Sequence, residues 1–345
     1  MIMFKYISIF ILFLFVSCTE PEANKVFNTV EVDVLFSDSL SIRAIEIMDG
    51  RSLAFAADKG TFGLMDLSTN KVRLNIQKYD SLMPEFRAVA HTATDFFMLS
   101  AGNPALLYKT GETGSMQLVY KEEDEKVFYD AMTFWNNMEG IAIGDSMDGC
   151  LSIIITRDGG NTWKKIPCAS LPPTAKGEGA FAASNTNVKV IGDRTWIATT
   201  NGNIHYSGDK GARWEVWTTP IANTKPTQGI YSLDFYDENI GFAMGGDYTD
   251  PDNDQKNKAL TTDGGKTWKV VADGHLPDYR SCVQYVPDSD GKSLVALGFN
   301  GIAYSSDYGE NWKQLSDESF YTLRFLNDSV AYAAGVNRIA QLNFK

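Results

Sequence analysis

Beyond residue 25 the chain alternates short apolar runs with turn-forming clusters. Residues 231–235 and 240–244, separated by Tyr236-Asp237-Glu238-Asn239, show the unit: two strand-length runs joined by a tight turn. A strand ending in small residues and glycine recurs along the chain. The series is Ala56-Ala57-Asp58-Lys59-Gly60, Leu99-Ser100-Ala101-Gly102, Ile143-Gly144-Asp145, Ala198-Thr199-Thr200-Asn201-Gly202, Met244-Gly245-Gly246-Asp247, Leu297-Gly298-Phe299-Asn300-Gly301 and Ala333-Ala334-Gly335. These seven recurrences divide the chain at residues 40–77, 86–120, 127–168, 178–218, 229–272, 279–315 and 319–345. The pattern predicts an all-β fold.

A sharper repeat lies inside this one. It reads Thr156-Arg157-Asp158-Gly159-Gly160-Asn161-Thr162-Trp163, then Ser207-Gly208-Asp209-Lys210-Gly211-Ala212-Arg213-Trp214. Thr261-Thr262-Asp263-Gly264-Gly265-Lys266-Thr267-Trp268 and Ser305-Ser306-Asp307-Tyr308-Gly309-Glu310-Asn311-Trp312 follow. The aspartates are 51, 54 and 44 residues apart, a blade period rather than a heptad or helical-solenoid period. Each segment joins two apolar runs and therefore predicts a hairpin turn. Asp can accept hydrogen bonds from the turn's own N–H groups, Gly permits positive φ, and Trp opens the next strand with a large plate for packing between sheets.

Together the repeats predict a seven-bladed β-propeller over residues 26–345. The last unit is short, and ahead of the first lies an additional strand-like run at residues 26–36, alternating at Val30, Val32 and Val34. An open sheet edge is a pairing hazard. The N-terminal strand is therefore expected to close the ring as the outer strand of the last blade, giving a monomeric propeller.

Composition narrows the function classes. Of 345 residues, 44% are hydrophobic and 12% aromatic, enough for a large core. The net charge is −12. So large an acidic excess argues against nucleic acid, whose binding rests on clustered Lys and Arg, and against adhesion to an anionic membrane by charge alone.

Residues 1–17 read as a leader: Lys5 is a thin positive region and residues 6–16 an apolar run too short to span a bilayer. Leu14-Phe15-Val16-Ser17-Cys18 resembles the bacterial lipoprotein signal. That resemblance implies lipidation at Cys18, a polar tether over residues 18–25, and membrane attachment through the lipid anchor alone. Of the remaining cysteines, Cys150 and Cys168 fall nearly opposite each other if their flanking strands form a hairpin. A disulfide between them suits an oxidising compartment; the alternative is a pair of small buried hydrophobes.

The four aspartate turns resemble the Asp-box (BNR) repeat of sialidases, related glycosidases and photosystem II assembly factor-like proteins. In those families the repeats lie on the outer rim, away from the ligand site. Over residues 26–345 the chain also resembles a group of Bacteroidota-type lipoproteins often labelled "oxidoreductase". This likeness is carried by Ser41-Ile42-Arg43-Ala44, Phe86-Arg87-Ala88, Phe128-Tyr129-Asp130, Gly140-Ile141-Ala142-Ile143-Gly144-Asp145 and Gly177-Glu178-Gly179-Ala180-Phe181. It implies an interaction platform of the cell envelope, at the outer membrane, for a protein or glycan partner.

In a propeller the ligand site is usually the funnel where the innermost strands begin. The residues there are Arg43, Arg87, Asp130, Glu178, Tyr231 and Arg280, the expected ligand-binding set. Arginines from three blades could clamp a carboxylate through forked hydrogen bonds, and Tyr129, Tyr231 and Tyr321 supply rings; the alternative is that these charged residues pair with one another across a water-filled channel. The set resembles in part the sialidase site, which implies the alternative of a glycoside hydrolase or lyase acting on an acidic sugar. Asp130, Asp145 and Glu178 are its candidate catalytic carboxyls. Asp250, Asp252 and Asp254 alternate in the longest acidic loop as calcium ligands can, although the Gly and terminal Glu of an EF-hand loop are missing; a solvated insertion is the plainer reading. The three histidines, His91, His205 and His275, share no metal or triad spacing. With no P-loop or strand–GxGxxG–helix unit, no cofactor is implied.

Overall fold

The computed structural model describes residues 25–111 and 114–345. The expected leader, the expected lipidation at Cys18 and the expected tether up to residue 24 lie outside the described residues. Among those described, no helix is long and apolar enough to cross a membrane.

The chain is built from strands: β1 (Val30–Ile47), β2 (Ser52–Ala57), β3 (Thr61–Asp66), β4 (Val72–Ile76), β5 (Phe86–His91), β6 (Phe96–Ser100), β7 (Ala105–Thr110) and β8 (Met116–Glu122). Then come β9 (Tyr129–Phe134), β10 (Gly140–Met147), β11 (Cys150–Thr156), β12 (Lys164–Lys165), β13 (Val188–Ile191), β14 (Arg194–Ala198), β15 (Asn203–Ser207) and β16 (Glu215–Thr218). The rest are β17 (Gln228–Phe235), β18 (Gly241–Asp247), β19 (Lys258–Thr261), β20 (Lys269–Val270), β21 (Cys282–Tyr285), β22 (Leu294–Gly298), β23 (Gly301–Ser305), β24 (Lys313–Ser316), β25 (Thr322–Phe325) and β26 (Val330–Phe344).

These strands form an all-β propeller of six blades, which corrects the seven expected. Five are four-stranded meanders and the sixth is a six-stranded sheet in the order β25-β26-β1-β2-β3-β4. The difference comes from two long strands. β1 pairs with β26 through residues 30–41 and with β2 through residues 42–47. β26 pairs with β25 through residues 331–334 and with β1 through residues 336–344. Backbone pairing thus runs unbroken through the units that the repeats separate as first and last. The six-stranded sheet contributes two innermost strands, β1 and β25, which meet each other and their neighbours β5 and β21.

The core lies between blades, where large rings interleave. Phe97, Phe134 and Trp163 pack in one gap, and Trp196, Phe235 and Trp268 in another. The four aspartate turns pin these gaps at the rim with one repeated set of bonds. In each, an Asp Oδ1 accepts the N–H four residues on, at 2.8–2.9 Å (Asp158, Asp209, Asp263 and Asp307). The Ser or Thr two residues earlier accepts the N–H of Gly160, Gly211, Gly265 or Gly309. Those glycines have φ between 77° and 93°, and three sit against a ring of the neighbouring blade: Phe97, Trp196 and Phe242. Trp214, Trp268 and Trp312 donate from Nε1 to the turn glycine's carbonyl.

At the opposite ends of the innermost strands the register breaks. The pairing slips between Ile42 and Ala44, Phe86 and Ala88, Tyr129 and Ala131, and Ile230 and Ser232. Each slip is a bulge whose extra residue is Arg43, Arg87, Asp130 or Tyr231. A bulge bends the strand and re-aims that one side chain. The glycines that recur after the second strand accommodate the bend: a Cβ on Gly144 would sit 2.1 Å from the Phe128 carbonyl oxygen, and one on Gly245 2.1 Å from that of Gly229.

The segment before β13 enters the middle of the ring. Ser184 Oγ donates to the Ser281 carbonyl (2.7 Å) and the Ser184 carbonyl accepts from Thr322 Oγ1 (2.9 Å). Asn185 Nδ2 donates to the Val89 carbonyl (2.8 Å), and its Oδ1 accepts from the Met132 N–H (2.9 Å). Thr186 shares a hydroxyl bond with Ser232 (2.7 Å). Residues 184–186 thus tie together innermost strands from around the ring and separate its two mouths.

Candidate functional site

The mouth nearer the bulges is ringed by aromatic side chains and two arginines. Phe181 stacks on Tyr231 with centroids 3.7 Å apart and planes 2° apart; Tyr231 meets the Tyr279 edge at 4.7 Å. Tyr279 contacts Phe299 at 5.4 Å, and Phe299 contacts Tyr321 at 6.2 Å. The Arg43 guanidinium lies 4.0 Å from the Tyr321 ring centroid, and that of Arg87 lies 5.9 Å from Phe128. Tyr231, Tyr279 and Tyr321 are buried, so in that run of rings those that reach the surface are Phe181 and Phe299; with the guanidiniums they suit apolar, aromatic and anionic groups together. Phe299 and Tyr248, from neighbouring loops, are exposed.

Electrostatics distinguish the two arginines. Arg87 donates from Nε and Nη2 to Glu85 Oε1 at 2.9 and 2.6 Å. Arg43 makes no ion pair among the described residues, and its buried Nε has no hydrogen-bond partner. Burial, followed by repulsion from Arg87, pulls its pKa below the ordinary arginine value. An anionic ligand would relieve both.

Asp130 and Asp145 lie beside this mouth. Asp130 is wholly buried and neither carboxyl oxygen has a partner. Burial, reinforced by Asp145, pushes its pKa well up against the opposing pull of Arg87. Asp145 accepts the Ala180 N–H at 3.1 Å, and burial pushes its pKa up to about 6. Gly179 passes so close that a Cβ there would lie 1.8 Å from Asp145 Oδ1. The pair therefore offers protonated or proton-exchanging carboxyls next to a guanidinium.

The other expected residues face elsewhere. Glu178 is buried within its own blade, where Thr199 Oγ1 (2.7 Å), Asn203 Nδ2 (3.0 Å) and the Ala175 N–H (2.9 Å) donate to it and His205 stands at 3.5 Å. These donors outweigh burial and hold its pKa down to about 2. It anchors a loop. Arg280 is also buried, paired with Asp278 and bonded to the Tyr279 carbonyl (2.9 Å) and Gln314 Oε1 (3.0 Å). The register explains its position: Cys282 pairs with Leu297, so Ser281, not Arg280, stands where the other strands carry the bulge residue. Arg280 occupies the inward place held elsewhere by Ile42, Phe86 and Ile230. Tyr129 is likewise directed into a blade, donating to Glu122 at 2.8 Å.

The acidic loop does not gather its carboxylates. Asp250 accepts from Asn253 (3.2 Å), and Asp252 accepts from Asn300 (3.1 Å). The Asp254 carbonyl accepts from Lys258 (3.3 Å). Lys258 is fully buried, also donates to the carbonyls of His275 (2.8 Å) and Pro277 (2.7 Å), and is pulled down by burial to about 8. An ammonium thus organises this loop. Among the described residues, no cluster of three or more His, Cys, Asp or Glu is placed to hold a metal ion. Cys150 and Cys168 form a disulfide, with Cα atoms 5.6 Å apart, and Cys282 is a buried free thiol.

Phe181, Tyr279 and Phe299 did not enter the sequence-derived ligand set. Phe299 had a signal, since it stands inside the recurring small-residue segment Leu297-Gly298-Phe299-Asn300-Gly301.

No protein-family model matches the chain, and no curated protein matches its sequence. Its fold is similar to that of solved propellers. A structure described as YCF48 bound to D1 peptide aligns with TM-score 0.62 and 12% identity, covering 93% of this chain and 98% of that one. YCF48 from Cyanidioschyzon merolae aligns with TM-score 0.62 and 10% identity, covering 92% and 98%. The RRP9 WD40 repeats align with TM-score 0.64 and 11% identity, covering 91% and 97%.

Proposed function

We propose that this protein is a non-catalytic binding propeller of the bacterial cell envelope. It is tethered to the outer membrane through lipid on Cys18 and holds a partner protein segment across the arginine–aromatic mouth. The observation that carries the reading is the shared bulge geometry. Arg43, Arg87, Asp130 and Tyr231 come from separate innermost strands, each as the extra residue of a bulge at the same end of the ring. Arg43, without a carboxylate partner among the described residues, lies over buried Tyr321, which meets exposed Phe299; that combination suits a segment that carries an acidic group beside apolar side chains. One fold neighbour was solved with a peptide bound, which supports looking for a peptide here.

The test is envelope pull-down and peptide-array binding with wild type, Arg43→Ala and Arg87→Ala, run beside a glycan array. Capture of a protein segment that weakens roughly tenfold or more in either variant is the expected result. Retention of only a glycan would replace the protein partner with a sugar. A second reading, hydrolysis or elimination on an acidic sugar, draws on the raised pKa values of Asp130 and Asp145. Turnover of an acidic glycoside that disappears in Asp145→Asn would establish it over the first.

A further inference from the structure

The ring has a second mouth, at the end where the aspartate turns lie, separated from the first by residues 184–186. There the innermost strands β1, β5 and β25 present Glu46, His91 and Arg324. His91 Nδ1 stands 3.3 Å from Glu46 Oε2, and Arg324 Nε donates to Glu46 Oε1 at 3.2 Å. Arg324 also donates to the Leu323 carbonyl (2.8 Å), to Thr322 Oγ1 (3.1 Å) and to the Asn185 carbonyl (3.4 Å). The carboxylate therefore fixes the imidazole by one nitrogen. His91 Nε2 makes no hydrogen bond among the described residues.

Beside this chain of contacts opens a cavity of about 400 Å³, lined by Glu46, His91, Thr92, Asn137, Met48 and Phe134 among others. The side-chain acceptors of Glu46, Asn137 and Thr92 in its lining each have a partner. Both Glu46 oxygens are taken, Asn137 Oδ1 accepts the Ala93 N–H (2.8 Å), and Thr92 Oγ1 accepts the Asp95 N–H (3.1 Å). When His91 is protonated, what remains available is donor capacity: His91 Nε2–H, the Thr92 hydroxyl proton and the Asn137 amide NH2. Charge points the same way. A protonated His91 and Arg324 face one carboxylate, leaving an excess positive charge. Among the described residues, Glu46 and Arg324 are the charged groups that act on His91; Thr133, Asn136 and Asn137 are uncharged, and Asp95 in the adjoining turn is paired with Lys109 at 3.6 Å. Met48, Ala90 and Phe134 supply an apolar wall.

We infer that this cavity binds a small organic anion, its carboxylate on His91 Nε2 and its short apolar body against Met48 and Phe134. The site is distinct from the proposed partner mouth and independent of it. Glu46 hydrogen-bonds His91 and favours its charged form, so binding persists to higher pH than an ordinary histidine would allow and is lost as His91 deprotonates.

The chain has only three histidines, so imidazole nitrogen NMR resolves His91 in the intact protein. Butyrate, butanol and inorganic phosphate are the probes. Butyrate should move the His91 signals saturably at about pH 6 and bind roughly tenfold or more weakly at about pH 9; butanol should leave them in place. His91→Gln, which keeps an N–H donor but no charge, should bind butyrate weakly at both pH values. Asn137→Ala, at an exposed position, should weaken it several-fold with the His91 titration unchanged. Arg87→Ala, at the other mouth, should bind butyrate as wild type does. No saturable response to butyrate, an equal response to butanol, or a response to phosphate alone overturns the assignment.

Discussion

Arg43 and Arg87 occupy the same structural position in neighbouring sheets: each is the extra residue of a bulge where its strand begins to pair with the next, β1 with β2 and β5 with β6. Like charges are thereby brought together, and only Arg87 is neutralised by a carboxylate, Glu85. Such an arrangement favours an incoming anion, not the unliganded protein.

Removing Arg43 or Arg87 should therefore affect binding and spare the fold. Arg43→Ala and Arg87→Ala are expected to unfold within about 0.5–1 kcal/mol of wild type while losing partner capture. Denaturant midpoints measured beside the pull-down separate these effects. A collapse of stability in Arg43→Ala would show the guanidinium to be a structural plug.

Asp145 makes stability depend on pH in a defined direction. Its folded pKa of about 6 lies above the ordinary value of 3.8. Between these values the folded protein holds a proton that the unfolded chain releases, so stability falls as pH rises from about 4 to about 6. Asp145→Asn should flatten that part of a pH–stability profile from denaturant melts. An unchanged slope would remove Asp145 as its source.

Glu178 has the opposite sign. Its pKa, held down to about 2 against an ordinary 4.5, contributes stability that is present above pH ~4.5 and lost as pH falls toward about 2. Glu178→Gln leaves one of several buried donors unsatisfied and should cost about 1–3 kcal/mol. If Glu178 served turnover instead of the loop, this variant would keep its melting midpoint and lose activity.

The Cys150–Cys168 bond closes a loop between residues 18 apart. Loops of that size contribute about 3 kcal/mol by restricting the unfolded chain. The double serine variant should unfold at a correspondingly lower denaturant concentration, and reduction of wild type should reproduce the shift. Equal midpoints with and without reductant would count against this bond as a stabiliser.

Asn185 combines positive φ with two buried hydrogen bonds in the central segment. It has φ of 58° and bonds to Val89 and Met132 through one side chain. Asn185→Ala adds backbone strain and orphans two buried groups, at a cost of about 2–5 kcal/mol. Hydrogen exchange at the Met132 amide should rise in this variant if the segment serves as the central tie, and stay at its native rate if it does not.

Much of this was legible in the chain. The aspartate turns needed only local chemistry: an Asp, a hydroxyl two residues before it, a glycine able to take positive φ and a ring. The recurring glycines were visible too, although the reason for them was not, because the carbonyl that excludes a Cβ at Gly144 belongs to Phe128, just ahead of β9 on the other side of a hairpin. The positions of Arg43, Arg87, Asp130 and Tyr231 could be selected as strand openings. That Arg280 differs from them by one register place could not, since a single-residue shift reverses which side a residue faces.

The blade count failed for a related reason. Repeats mark strands and turns, but whether two units belong to one sheet depends on hydrogen bonds between chain ends. β1 and β26 are long enough to carry pairing from one unit into the next, and no local pattern announces it. The β character, the turn chemistry and the residues available at the openings of the strands can be read from the chain, because these depend on neighbours a few positions away. The merged six-stranded sheet, the central tie at residues 184–186, the ring of Phe181, Tyr279 and Phe299, and the Glu46–His91–Arg324 chain emerge with the folded ring. Each of these joins residues from distant units, and their meeting is set by the closing of the ring.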